Sequence, residues 1–133
     1  MRRFPSFVLA FLMVTNFVRG TIHAFAPDGG AHSIAGLNLS TNAQTILSLF
    51  AEMGFHQLAM GLFQLFVLIF RRDLVLIALA LETVQTAFGV ANLYFYRPFP
   101  VVVPGEAFNT LMLAVLMATL ALAAASRERQ PSP

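Results

Sequence analysis

The chain contains no cysteine and no lysine. Without cysteine it has no disulfide, thiol nucleophile, iron–sulfur cluster or cysteine-ligated zinc. Without lysine, all eight cations are arginine, none in a run longer than two, and the net charge is only +2. That pattern offers no surface for nucleic acid. Charge of either sign is scarce, at 11% of residues, against about 25% in a typical soluble domain. Ser/His/Asp groupings, phosphate-cradling loops and zinc-ligand spacings are missing as well, so no catalytic residue and no metal site is expected. What is present is apolar: 58% of the 133 residues are hydrophobic, with a mean hydropathy of +0.76. A domain this small cannot hide such an excess in its core. Lipid as solvent is the economical reading.

Four segments are long enough for a hydrocarbon core of ~30 Å, which takes about 20 helical residues to cross. They run over residues 4–25, 43–70, 74–96 and 107–125. The first is interrupted by Arg19; the third ends in Tyr94-Phe95-Tyr96, a group suited to the headgroup interface. Arginine placement is an independent check. Arg2, Arg3, Arg71, Arg72, Arg127 and Arg129 flank ends that four crossings put on one side, leaving Arg19 and Arg97 on the other. Positive charge accumulates on the cytoplasmic side. The expected architecture is therefore an all-α integral membrane four-helix bundle, up-down-up-down, with both termini cytoplasmic and one domain over 1–133. A rival reading makes the start a secretory signal cleaved after Ala24-Phe25-Ala26, but Pro27, Asn16 and Arg19 all count against it.

The connections fit this plan. Arg71-Arg72-Asp73 is a tight hairpin that should make the second and third spans antiparallel neighbours. Residues 97–106 hold three prolines and predict an extended outer loop. Residues 26–42 form the longest connection, with 33–39 expected to lie along the interface as a short amphipathic piece. Asn38-Leu39-Ser40 matches the glycosylation acceptor pattern, a weak signal at that length. Residues 126–133 predict a disordered polar tail.

The informative residues are the polar ones inside the spans. Residues three, four and seven apart share a helix face. Glu52 and His56 lie together on the second span, while Gln57, Gly61 and Gln64 form another stripe over a quarter turn away. The third span carries Glu82, Gln85, Gly89 and Asn92 in one stripe, and the first carries Asn16, Arg19 and His23. A charged side chain at the bilayer centre costs ~2.5–3.5 kcal/mol, so the acids and Arg19 should face inward. Counted from the ends of their spans, Glu52 lies ~13 Å deep and Glu82 ~12 Å deep. Folding the first loop brings Arg19 roughly level with Glu52, which predicts an ion pair there with His23, His56 and Asn92 around it. Glu82 is expected to have no cation nearby. The remaining amides are read as interhelical hydrogen bonds, and Gly54, Gly61 and Gly89 as close-packing positions.

A polar outer loop, then AEMGFHQLAMGLF at 51–63 opening the second span, then an arginine-rich inner turn, resembles the small four-helix bacterial membrane proteins grouped around DoxX. The similarity is greatest to a related family of unknown function, whose second span opens with an acid followed by Gly and a further Gly seven on. Here those are Glu52, Gly54 and Gly61. Many such members carry Arg just before the acid, where this chain has Leu49, Phe50 and Ala51. The resemblance implies a bundle in the bacterial inner membrane and, through DoxX itself, an association with quinone-linked oxidation.

Three functional expectations follow. The first is a multi-pass inner-membrane protein whose inward polar cluster binds a lipid- or quinone-like molecule or docks a membrane partner, using Glu52, His56, Glu82, Arg19 and Asn92. The second is a small proton-coupled transporter cycling a proton on Glu52 or Glu82. The third is a haem-binding bundle using His23 and His56, which is disfavoured because the two lie at different depths. The cofactor, if any, is left unassigned.

Overall fold

The computed structural model describes residues 3–98, 102–103 and 105–128. The chain forms α1 (Phe4–Phe25), α2 (Ala43–Phe70), a 3₁₀ turn (Arg72–Leu74), α3 (Val75–Ala91), a π turn (Asn92–Tyr96) and α4 (Gly105–Glu128). No strand occurs among the described residues. All four helices, α3 taken with its flanking turns, are long and apolar enough to cross a membrane. The expected disordered tail falls mostly outside the described residues, as does part of the proline-rich loop.

Local chemistry sets the helix ends. Pro5 sits in the first turn of α1, where its missing N–H costs nothing. At the other end Ala26 is extended, φ −68° and ψ 147°, as a residue before proline must be. Asn42, in the left-handed region at φ 56°, turns the chain into α2, a conformation asparagine tolerates better than most. The hairpin after α2 is stapled by a bidentate Arg71–Asp73 pair, Nε to Oδ1 at 3.0 Å and Nη2 to Oδ2 at 2.8 Å. Both side chains are more than half exposed, so the pair shapes the turn more than it stabilises it.

The helices are not packed equally. α1 lies closely along α2, and α3 along α4, while α2 and α3 touch at few places despite their short hairpin. The tight α1–α2 pairing comes from glycine. A Cβ on Gly54 would lie 2.5 Å from the Ala24 nitrogen and 2.8 Å from the Gly20 oxygen, and one on Gly20 would lie 2.9 Å from the Gly54 oxygen. Nothing but hydrogen fits where these two backbones cross. Gly61 differs, since its Cβ position meets only the Phe17 ring at 3.5 Å, and Gly89 has nothing within 4 Å. Of the three glycines expected to be close-packed, Gly54 meets backbone, with Gly20 as its unforeseen counterpart, Gly61 is buried against a ring, and Gly89 is open. In the inner half, Leu9 and Leu12 of α1, Val67 of α2, Val75 and Leu79 of α3 and Leu116 of α4 form the apolar core.

The connection after α1 folds back as a compact cap rather than lying flat as an amphipathic piece. Ala31 is fully buried and Ile34 half exposed. The Asp28 carboxylate accepts from the Gly30 amide at 3.0 Å and the Ser33 amide at 2.7 Å. His23 Nδ1 lies 2.7 Å from the Gly29 carbonyl oxygen, and its ring meets Phe50 edge-on at 5.4 Å. Asn38 serves a local turn, accepting from the Ser40 amide at 2.8 Å. The backbone amides hold the Asp28 carboxyl down to about 2, chiefly through Ser33 and Gly30. A depressed carboxyl stabilises the folded cap above its unfolded pKa of about 4, and that contribution fades as pH falls from there through about 2. We expect Asp28→Asn to speed hydrogen exchange at the Gly30 and Ser33 amides at neutral pH. Wild type should show the same loosening only near pH 2.

Candidate functional site

The polar side chains of the bundle separate into two groups, one inside and one outside. Asn16, Gln64 and Glu82 are buried, at 7%, 0% and 7% exposure. They come from α1, α2 and α3 and meet in a closed triangle. Asn16 Nδ2 donates to Gln64 Oε1 at 3.2 Å and to Glu82 Oε2 at 3.3 Å, and Gln64 Nε2 donates to Glu82 Oε2 at 2.7 Å. Asn16 Nδ2 also lies 3.5 Å from Glu82 Oε1. Arg19 stands one turn outward from Asn16 on α1, within electrostatic reach of Glu82. Its guanidinium donates to Asn109 Oδ1 of α4 at 2.9 Å and lies 5.7 Å from the Phe108 ring centroid. The triangle joins α1, α2 and α3, and the separate Arg19–Asn109 bond ties α1 to α4.

This is not the pairing expected for Arg19. The α1–α2 register sets Gly20 against Gly54 and Leu58, and Asn16 against Gln64. Arg19 is thus well inward of Glu52, and Glu82, expected to lack a cation, has Arg19 near it instead. The register also places Glu52 relative to α1. Gly54 is level with Ala24, and Phe55 meets Phe25 edge-on at 5.9 Å. Some ten residues of α2 therefore rise beyond the end of α1 beside the cap. Glu52 thus lies beside the end of α1, and His56 one turn (~6 Å) further along α2.

Glu52 and His56 are both exposed. Neither makes a side-chain hydrogen bond or ion pair among the described residues. They share the exposed face of α2 with Leu49 and Phe55, at 60% and 54% exposure. Gln85 and Asn92 are exposed as well, so the stripe that begins at Glu82 turns outward after one turn. The physical reason is that Glu82 is drawn toward α1 and α2 by its amide donors, while the rest of α3 rides on α4. Asn92 also opens the π turn, its carbonyl accepting from the Arg97 amide at 2.9 Å. His32 is exposed, with its Nδ1 3.2 Å from the Leu37 oxygen. His23 lies under the cap against Phe50, and His56 projects from a different side of α2, so the two do not face each other as axial ligands. No group of three or more His, Asp or Glu able to hold a metal ion occurs among the described residues.

Asn16 and Gln64 are the site residues that sequence reasoning undervalued. A signal for them existed. Gly54, Gln57, Gly61 and Gln64 repeat at intervals of three, four and three, the spacing of a helix seam, and all four are buried. Gln57 carries the one buried side-chain atom without a partner among the described residues, its Oε1.

Four candidate spans make the chain a multi-pass membrane protein. No family model, characterised protein or solved structure matches it.

Proposed function

We propose that this protein resides in a bacterial inner membrane and binds a lipid-like or quinone-like molecule at the outer rim of α2, with Glu52 and His56 as its polar contacts. One observation carries this reading. A carboxylate and an imidazole, one helical turn apart and without a side-chain partner among the described residues, stand on an exposed face of α2 beside Leu49 and Phe55, near the level where α1 ends. A molecule with a polar head and an apolar tail meets both chemistries there from within the membrane. Ionisable side chains in membrane helices are functional candidates by default. Side-chain packing does not account for these two, because neither is buried. The resemblance to the DoxX group supports the bacterial inner membrane and the quinone class.

The test is purification in mild detergent followed by mass spectrometry of co-purifying lipids and quinones. Glu52→Gln and His56→Phe should each lower the retained ligand roughly ten-fold, the scale of one lost hydrogen bond to a charged group. Accumulation and melting temperature should stay at wild-type values. Unchanged retention would contradict the reading. A fall in accumulation would assign the pair to folding instead.

A second reading, a proton-coupled carrier, is favoured by one feature: Glu82 is a bundle-facing carboxyl near the middle of the membrane. Flux into proteoliposomes that follows a pH gradient and disappears in Glu82→Gln would establish it.

A further inference from the structure

We infer that the exposed face of α3 is a self-association surface, on which a second copy of this chain pairs through Gln85. The argument begins with depth. Glu82 is level with Asn16, which lies nine residues inside the end of α1 at Phe25. Gln85 is three residues further out on α3, so it stands ~9 Å below that end. A glutamine side chain cannot reach the interface from there. Yet Gln85 is exposed and makes no hydrogen bond among the described residues. Its amide would face acyl chains, where an unsatisfied polar group is costly.

The surroundings suit a helix. Leu81, Gln85, Phe88 and Asn92 follow at intervals of four, three and four on one exposed face, the spacing of a helix–helix seam. Inward of Gln85 the same face carries an apolar groove of about 390 Å³, lined by Ile77, Ala80, Leu81 and Val84 among others. Toward the outer end, Gly89 leaves open space beside the seam.

The occupant follows from symmetry. Copies in one membrane share their orientation, so a two-fold axis along the membrane normal sets α3 parallel to its mate, residue against like residue. An amide complements itself, because it donates and accepts at once. Gln85 on Gln85 satisfies both, much as a single buried asparagine fixes register in a parallel helical dimer. A partner with an acid or a cation opposite would leave half of each amide unused. Asn92, at interface depth, adds a second self-complementary pair.

The absence of cysteine makes the test direct. Phe88→Cys, on the seam, should form an intermolecular disulfide in the membrane on mild oxidation. Phe66→Cys, also exposed but on α2, should not. In lipid nanodiscs or mild detergent the wild type should have twice the 14.5 kDa chain mass. Gln85→Leu should weaken self-association roughly ten-fold, the scale of an interhelical amide pair. Its melting temperature, extrapolated to low concentration, should stay unchanged because Gln85 is exposed and makes no hydrogen bond among the described residues. Equal cross-linking at both cysteines, a wild-type monomer at every concentration, cross-linking only to a different polypeptide, or full dimerisation of Gln85→Leu would each overturn the inference.

Discussion

Replacing Glu82 by leucine should destabilise the bundle by on the order of 3 kcal/mol, read as a large fall in melting temperature in detergent. The carboxylate accepts from Gln64 at 2.7 Å and from Asn16 at 3.3 Å. Without it the Gln64 amide loses its acceptor and Asn16 keeps only Gln64 Oε1, and each unpaired donor costs ~1–3 kcal/mol. Arg19, held by Asn109 on the outer side, also loses the nearby negative charge. Glu82→Gln should cost less, because its carbonyl in the place of Oε2 still accepts from both Gln64 and Asn16, while only the longer 3.5 Å approach of Asn16 to Oε1 becomes donor against donor. In the double variant Gln64→Leu/Glu82→Leu the losses should fall short of their sum, since the second change removes one of the donors that the first left unpaired. A Glu82→Leu protein as stable as wild type would mean that the triangle contributes nothing to the fold.

The second large effect belongs to glycine. Gly54→Ala should destabilise by about 1–3 kcal/mol, the usual range for a group forced into packed space, and Gly54→Ile should abolish the α1–α2 pairing. The added carbon would lie 2.5 Å from the Ala24 nitrogen. Backbone, unlike the end of a flexible side chain, cannot swing aside. Gly61→Ala is the control. Its new methyl would touch the Phe17 ring at 3.5 Å, an ordinary contact, and the variant should melt within a degree or two of wild type. If Gly54→Ala and Gly61→Ala behaved alike, the close crossing at Gly20 and Gly54 would be wrong.

These effects sit in residues whose roles were unequally legible from sequence. The spans were legible because lipid imposes length and hydropathy one segment at a time. α1 and α2 occupy the anticipated residues, α3 differs only by its π turn, and α4 runs a few residues longer at each end. Facing was harder. α2 is apolar on every side, so periodicity could not say whether the Glu52–His56 stripe or the Gln57–Gln64 stripe looks inward. The close approach of Gly20 to Gly54 decides it, and that contact depends on two helices at once. Register was illegible for a related reason. α2 outruns the end of α1 by about three turns, which becomes visible only when the two helices are set side by side. Glu82 was legible as inward-facing because a charge against lipid is costly. Its partner Asn16 and its neighbour Arg19 required the first helix to be set in place.

Everything above depends on four crossings in alternating sense, with Glu82 enclosed and Glu52 at the outer rim. Single cysteines introduced into this cysteine-free chain report the crossings most directly, by labelling of intact cells with a membrane-impermeant maleimide. His32→Cys and Arg97→Cys should react from outside. Asp73→Cys should react only after the membrane is opened, and a carboxyl-terminal tag should become accessible under the same condition. Labelling of Asp73→Cys and the carboxyl terminus from opposite faces would contradict the account.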